Sequence, residues 1–215
     1  MLKTIRMIMA LLLTFSAANI ADAGITLHKL EHSVIRLHIL ANSDSTADQT
    51  EKLLVRDAVL AGAGSWIPAG SDFSAGCEAL RAQLPAIRQT AEQTLRAAGC
   101  SDTVRVSLEQ TDFPERQYGM MTLPAGCYQA LRVEIGAAAG QNWWCVMYPA
   151  VCIPAAAEPS LTLDADAENM VLHPEEYEVR LKCLDAARAV GKWLSGMLSG
   201  IRITKTDQPS PQGEG

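Results

Sequence analysis

Cysteine is the residue type in this 215-residue sequence with the widest chemistry, since it serves as nucleophile, metal ligand or disulfide partner. No two cysteines have the Cys-x-x-Cys spacing of zinc ribbons and thioredoxin-like sites. An even number permits disulfides in an exported protein, and a turn at Pro149 would let Cys145 bridge to Cys152. The open alternative is that several are small buried hydrophobic residues. The six are Cys77, Cys100, Cys127, Cys145, Cys152 and Cys183.

The four histidines do not make a persuasive metal set. His28 and His32 can share one helical face, but they lack the His-Glu-x-x-His order of zinc proteases. The sequence also has no Gly-x-Ser-x-Gly, phosphate-binding loop or dinucleotide fingerprint. A Cys–His nucleophile pair stays open, because its members can be distant in the chain. We therefore expect no catalytic residues, no metal ion and no cofactor. The other histidines are His38 and His173.

A polar turn is the first candidate for a binding site. Asn42, Ser43, Asp44 and Ser45 bring oxygen-bearing side chains together, which would suit a cation, but the run lacks the spacing and the distal glutamate of a calcium loop. Turn formation and helix capping explain the same residues without a ligand, because Ser45 followed by Asp48 makes a capping-box-like start. We favour the structural interpretation.

The helix after this turn carries a ladder of charged residues. Asp48, Lys52 and Arg56 follow one another at intervals of four in the favourable acid-first orientation, with Asp57 beside them. Most such ladders are simply solvated faces. The alternative is a partner-binding surface, because this one directly follows a strand and a polar turn.

Two adjacent tryptophans, Trp143 and Trp144, follow Asn142 in a glycine-rich region. On a strand, neighbouring side chains point to opposite faces of the sheet. We expect one indole to enter the core while the other faces outward or lies under a covering loop. The second indole thus indicates either a covered sheet or an exposed recognition site.

Composition and the first residues indicate an exported globular protein. Hydrophobic residues make up 48% of the chain, and the net charge of −6 without a basic run argues against nucleic-acid binding. Lys3 and Arg6 precede the apolar stretch 7–18, and the small residues Ala21 and Ala23 mark a signal-peptidase site. We expect a signal peptide over 1–23, cleaved after Ala23; an uncleaved anchor is the alternative.

The first half of the remaining chain is predicted to form a strand and two helices. Residues 33–40 are too continuously apolar for an edge strand, so we expect a central one. In the helix that follows, Leu53 and Leu54 belong to the expected buried stripe, and Gly62 and Gly64 end it. A second helix over 74–98 carries Pro85, which should kink or divide it.

The second half is predicted to supply three more strands and a last helix. Residues 104–108 alternate between apolar and polar and are predicted to form a half-exposed strand. The strands 127–135 and 143–148 are expected to pair as a hairpin across a glycine-flanked loop. The resulting order, β-α-α-β-β-β-α, predicts an α+β domain over 24–153, with a mixed or antiparallel sheet of about four strands and helices on one face. Beyond it we expect a linker over 154–174, a helix over 175–203 and a disordered tail over 204–215.

Two blocks of sequence resemble the stage II sporulation protein R family. The first is Val34-Ile-Arg-Leu-His-Ile-Leu-Ala-Asn-Ser-Asp-Ser45, followed by Asp48, Lys52 and Val55-Arg-Asp-Ala-Val59. The second includes Phe113-Pro, Tyr118-Gly, Gly126, Tyr128, Ala130-Leu-Arg-Val133 and Ile135-Gly136. It continues through Gly140 and Asn142-Trp-Trp-Cys-Val146 to Pro149 and Cys152. The two blocks cover most of the range 34–152.

The resemblance implies a function. Such proteins are secreted messengers, exported from the forespore into the space between the septal membranes, where they activate a membrane-embedded aspartic protease. That protease processes the mother-cell sigma-factor precursor, and the messenger is not known to be an enzyme. The candidate residues for binding the protease are Arg36, Asn42, Asp44, Asp48, Lys52, Arg56, Asp57, Asn142, Trp143 and Trp144.

Two alternatives of other classes stay open. One is a secreted cell-wall hydrolase that uses a cysteine or a pair of carboxylates, which requires a concave pocket with perturbed titratable groups. The other is a module that binds glycan or peptide on the ring of Trp143 or Trp144, which requires an exposed indole. We expect contact with the membrane only through the signal peptide, if it stays uncleaved.

Overall fold

The computed structural model describes residues 2–148 and 163–201, with side chains to residue 196. The chain divides into a larger unit, residues 25–174, and a smaller unit formed by residues 1–24 and 175–215. Cys152 and the expected tail over 204–215 lie outside the described residues.

The helices and strands confirm the predicted α+β class and, in outline, the predicted order. The structure adds an amino-terminal helix, a short two-stranded sheet and a short helix to the expected elements. The elements are α1 (Leu2–Glu31), β1 (Ile35–Leu40), α2 (Thr46–Trp66), α3 (Phe73–Ala97), β2 (Val104–Phe113), β3 (Arg116–Tyr118), β4 (Met121–Leu123), β5 (Gly126–Ile135), β6 (Asn142–Tyr148), α4 (Ala165–Leu172), a 3-10 turn (Pro174–Glu176) and α5 (Glu178–Ile201).

The main sheet is mixed and has the strand order β2-β5-β1-β6. Strand β1 runs parallel to β5 and antiparallel to β6, and β2 runs antiparallel to β5. All six residues of β1 are buried, which confirms the prediction of a central strand. The predicted hairpin between the last two strands is wrong, because β1 lies between β5 and β6.

The connection between β5 and β6 must therefore cross the end of β1, a span of about 10 Å between strands two positions apart. It does so in contact with the turn that follows β1, because the amide of Ala139 donates to the carbonyl of Asn42 (3.1 Å) and that of Gly140 to the carbonyl of Ala41 (3.0 Å). A Cβ atom at Gly140 would lie 2.2 Å from the carbonyl oxygen of Ser43, so only glycine fits there.

Helices α2 and α3 pack on one face of the main sheet, as expected. Alternate residues of the central strands face them, and the cluster they form is fully buried. Every second residue of β1 and β5 points to this face, and residues paired across the two strands point to the same side. This alternation explains why the apolar residues of both strands meet under the helices. The centre of the cluster is formed by Leu37, Ile39, Val59, Leu80, Ile87, Leu131 and Val133.

Helix α2 differs from its prediction in two respects. Leu53 and Leu54 are exposed (36% and 43%), and Lys52 takes a buried position beside the apolar stripe. The helix also continues past Gly62 to Trp66, whose indole ring fills the space that a side chain at Gly62 would occupy. The glycine therefore accommodates a ring of its own helix and does not end it.

The ends of the helices largely agree with the sequence signals. The hydroxyl of Ser45 accepts from the amide of Asp48 (3.1 Å), which confirms the predicted cap of α2. Helix α3 is one helix with Pro85 inside it, and it is followed by Gly99 with a positive φ of 84°. The sequence allowed Pro85 either to kink the helix or to divide it, and the structure shows that the helix is not divided.

Part of the other face of the sheet is covered by the small sheet β3–β4, where Tyr118 contacts Arg36 of β1. Within the predicted linker 154–174, residues 165–172 form α4, in which Met170 is fully buried. The end of α1 belongs to the same unit, because Lys29 pairs with Asp164 (2.9 Å) before α4.

The smaller unit contains the amino-terminal part of α1 and helix α5. Helix α1 is long and apolar enough to cross a membrane by length and composition, and a signal sequence near the amino terminus has the same properties. It is thus compatible with the predicted signal peptide. Helix α5, Glu178–Ile201, lies within the predicted carboxyl-terminal helix 175–203.

The crossing predicts how two glycine substitutions should differ. In Gly140→Ala the new methyl group meets the backbone of Ser43, so we expect the free energy of unfolding to fall by about 1–3 kcal/mol. Gly64→Ala is the control, because it adds a methyl group in open space on helix α2 and should raise stability by about 0.5–1 kcal/mol. Urea unfolding followed by circular dichroism measures both; equal stabilities would contradict the crossing.

Candidate partner-binding site

The turn after β1 has its polar groups bonded within the protein. The side-chain oxygen of Asn42 accepts from the amide of Ala137 (2.9 Å), and its amide group donates to Asp48 (3.1 Å). Asp44 accepts from the amide of Gln141 (2.7 Å). Both side chains therefore hold the crossing connection at the end of β1, which supports the structural interpretation of this turn.

Lys52 serves the same connection from helix α2. Its ammonium group donates to the backbone oxygen of Gln141 (2.9 Å) and to the side chain of Gln49 (2.6 Å). The residue is 4% exposed, and burial lowers the pKa of Lys52. Asp48 is held by hydrogen bonds from the preceding turn, and the bond from the side chain of Ser43 is the largest cause of its lowered pKa. One end of the predicted charge ladder is therefore engaged inside the domain.

The other end of the ladder lies at the surface, against one of the tryptophans. The guanidinium of Arg56 lies 4.4 Å from the centre of the Trp143 ring and pairs with Asp57 (2.7 Å). Trp143 points to the helix-covered face, while the exposed side chains of Leu53 and Leu54 lie one turn earlier on the helix. We call Leu53, Leu54, Arg56, Asp57 and Trp143 the α2 patch.

Trp144 points to the opposite face, as the alternation of a strand requires. Its ring stacks on that of His38, with centroids 3.8 Å apart and planes inclined by 14°, and Phe113 meets it edge-on at 4.7 Å. His38 Nε2 lies 2.9 Å from the side-chain oxygen of Asn142, so Nε2 carries the proton. Burial lowers the pKa of His38, which keeps the ring neutral.

Arg36 lies on this second face and is completely buried. Its guanidinium is 4.0 Å from the centre of the Phe113 ring and 5.0 Å from that of Tyr128, and it donates to the hydroxyl of Tyr118 (2.6 Å). Nε and Nη1 are buried without a hydrogen-bond partner. In this conformation Arg36 has no surface to offer a partner, and aromatic rings replace the carboxylate that a buried arginine usually has.

Sequence reasoning missed this aromatic cluster on the second face. The signal was available, because Arg36 and His38 occupy alternate positions of a strand whose other positions are apolar. Their aromatic neighbours come from strands whose pairing was predicted incorrectly or not at all. Those neighbours are Phe113, Tyr118, Tyr128 and Trp144.

Burial acts against the reactivity of two of the described cysteines. Burial raises the pKa of Cys77 and Cys100, which opposes formation of the nucleophilic thiolate. Cys145 is buried and disulfide-bonded, but Cys152 lies outside the described residues, so the predicted pairing stays a prediction. Cys183 is a further, exposed thiol among the described residues.

Two groupings of metal-ligand type deserve comparison with true sites. His28 to His32 has the His-x-x-Glu-His order of inverted zinc proteases, which sequence reasoning overlooked. However, Glu31 accepts from the amide of Cys127 (2.9 Å), and Nδ1 of His32 bonds to the backbone of His28. Elsewhere, the side chains of residues 51, 100 and 102 converge within 4.8 Å, one ligand fewer than a structural zinc site needs.

Fold and site together define a small α+β domain whose polar side chains mostly maintain its own sheet, with an apolar and charged patch on one helix. Comparison with known proteins identifies the family. The family model of stage II sporulation protein R matches residues 31–158, and the chain belongs to that family. Sporulation is therefore the process in which it acts.

A curated relative gives the extent of the likeness. The chain is 38% identical over 118 residues to stage II sporulation protein R of Bacillus subtilis (strain 168). The aligned part is 55% of this chain and 53% of the relative, so the chain spans about half the length of the curated relative that it matches. No solved structure matches the chain.

The buried imidazole predicts a pH dependence of stability. Because burial lowers the pKa of His38 from its usual 6.5, the unfolded chain takes up a proton first as the pH falls. The contribution of His38 is complete well above pH 6.5 and declines as the pH falls through 6.5, until the folded protein also becomes protonated. We expect the wild type to lose stability relative to His38→Gln as the pH falls from about 7.5 through 6.5.

Urea unfolding of the wild type and of His38→Gln across this pH range measures the difference in their free energies of unfolding. Groups other than His38 titrate in both proteins, so their contributions cancel in the difference. Met120→Gln is the control, because Met120 is 85% exposed and carries no titratable group, so the pH profile should stay that of the wild type. Parallel profiles for the wild type and His38→Gln would contradict a buried, neutral ring.

Proposed function

We propose that this protein is a secreted signal of sporulation, exported from the forespore into the space between the septal membranes. There it activates a membrane-embedded aspartic protease that processes the mother-cell sigma-factor precursor. Membership of the stage II sporulation protein R family is the observation that carries the proposal. The apolar helix α1 at the amino terminus supports export.

The activity is binding without catalysis. A messenger shifts a protease towards its active state only if it binds that state more tightly than the resting one. A rigid surface suits this purpose, because little conformational entropy is lost on association. The network of Asn42, Asp44 and Lys52 supplies rigidity by fixing the start of α2 and the β5–β6 connection to each other.

The α2 patch is the part of the candidate set best suited to contact the protease. Leu53 and Leu54 present apolar surface on the side of α2 away from the core. Arg56 is held over Trp143, and Asp57 supplies a charge at the rim. Arginine, tryptophan and exposed apolar side chains are typical of the centre of an interface, and the buried Arg36 and Lys52 support the fold.

The glycan or peptide module gains no support from the two indoles. Both are only partly exposed, and each ring already has a partner on one face, Arg56 for Trp143 and His38 for Trp144. The occupied face and the partial burial leave less ring area for a stacked ligand than a fully exposed indole would offer. The hydrolase alternative gains little from the pocket between α3 and β2, because the hydrogen bond with Arg88 lowers the pKa of its acid, Glu92, which disfavours a general acid there.

Reconstitution in a non-sporulating host tests the function. The chain is co-expressed with the protease and the sigma-factor precursor, and the processed fraction is measured by immunoblotting. We expect processing only when this protein is present with its export segment. Equal processing without it, or normal processing in a sporulating strain that lacks the gene, would contradict the proposal.

A double variant tests the α2 patch separately. Leu53→Ser with Leu54→Ser removes exposed apolar surface, so the fold should persist while processing falls by about thirty-fold, the effect of losing roughly 2 kcal/mol of interface contacts. Met120→Ser is the matched control, because Met120 is 85% exposed in the turn between β3 and β4. Secreted amounts and circular dichroism must be unchanged in both. Unimpaired processing by the double variant would exclude the patch and leave the function intact.

A further inference from the structure

The second half of helix α5 carries large apolar side chains that face solvent. Val190, Trp193 and Leu194 are 55%, 64% and 47% exposed. Their spacing of three and four residues puts them on one face of the helix. Val179 lies eleven residues before Val190, about three helical turns, so it belongs to the same face and is 73% exposed. We call these four residues the α5 face.

The charged residues from position 186 to position 206, which include the second half of α5, are all basic. Arg188 and Lys192 project from the side of the helix opposite Val190, two residues before and two after it, and both are exposed. Between Asp185 and Asp207 the sequence contains no acidic residue and four basic ones. The chain as a whole has a net charge of −6, so this local excess of positive charge runs against its composition.

We propose that the α5 face binds a membrane surface containing anionic phospholipid, with the helix lying in the plane of the interface. An apolar face that includes a tryptophan and a basic polar face are the features of interfacial helices. Among the described residues, α1 is the helix that meets the length and hydropathy expected of a membrane span, and α5 does not. Helix α5 therefore lies on the membrane without crossing it.

A lipid surface explains the charges better than a second copy of this protein does. A symmetric contact between two α5 faces would leave Arg188 and Lys192 on its outer sides, where a copy of this protein offers their positive charge no partner. Anionic headgroups attract Arg188 and Lys192 while the acyl boundary receives Trp193 and Leu194, and each basic side chain near such a surface strengthens binding about five-fold.

The proposed membrane site is independent of the family assignment. Helix α5 lies beyond the matched residues 31–158, so neither the family nor the curated relative assigns it a role. With the signal peptide cleaved, α5 would be the attachment to the membrane; with it uncleaved, α5 would be a second attachment that restricts the orientation of the unit containing both helices.

Quenching of Trp193 by brominated lipid tests the proposal in the full chain. The protein is reconstituted in vesicles of brominated phosphatidylcholine with or without phosphatidylglycerol, and the emission of Trp193→Phe is subtracted to isolate this indole. We expect strong quenching in the anionic vesicles. In Arg188→Gln with Lys192→Gln the partition of α5 into them should fall about thirty-fold, because two near-surface charges are lost.

Arg88→Gln with Arg96→Gln is the matched control, because it changes the net charge equally at two exposed positions of α3 and should leave quenching unchanged. Equal quenching with and without phosphatidylglycerol, or in the Arg188 and Lys192 variant, would overturn the proposal. A further contrary result comes from acrylamide quenching of Trp193 in vesicles without phosphatidylglycerol. If acrylamide reaches Trp193 less well as the protein density rises, a second copy covers the α5 face and the proposal is overturned.

Discussion

The insertion of β1 between β5 and β6 is the constraint on which the rest of the domain depends. It makes the sheet mixed, and it forces the β5–β6 connection to cross the end of β1 where the following turn also begins. Two chain segments then meet at backbone contact distance, so Gly140 has no room for a side chain. Asn42 bonds to both the connection and helix α2, which ties three elements together at one point.

This constraint separates two roles that look alike in the sequence. The polar residues Asn42, Asp44 and Lys52 bond to backbone groups of the crossing, and a hydrogen bond of this kind contributes about 0.5–1.5 kcal/mol. One turn further along the helix, Arg56 and Asp57 bond to each other at the surface. Proximity in the sequence therefore does not imply a shared function: the first group maintains the sheet, and the second is available to a partner.

The two faces of the sheet have different chemistry. The face towards α2 and α3 is an ordinary apolar core. On the other face, Arg36 and His38 are buried among aromatic rings, which solvate the cation through their faces and stack on the neutral imidazole. Within residues 2–148 and 163–201, no carboxylate pairs with Arg36, and its charge is stabilised by several rings from separate strands. A substitution at this position would therefore have to suit all of these rings. The short β3–β4 sheet contributes one of them, Tyr118.

Local patterns in the sequence determined the class of fold, the central position of β1, the cap at Ser45 and the opposite orientation of the two tryptophans, because each depends on a few neighbouring residues. The sequence also indicated the family, since its motifs lie in order along the chain. Tertiary structure alone decided that β1 separates β5 from β6 and that Leu53 and Leu54 face solvent while Lys52 is buried. Strand pairing and helix rotation are settled by contacts between distant segments, which local periodicity does not encode.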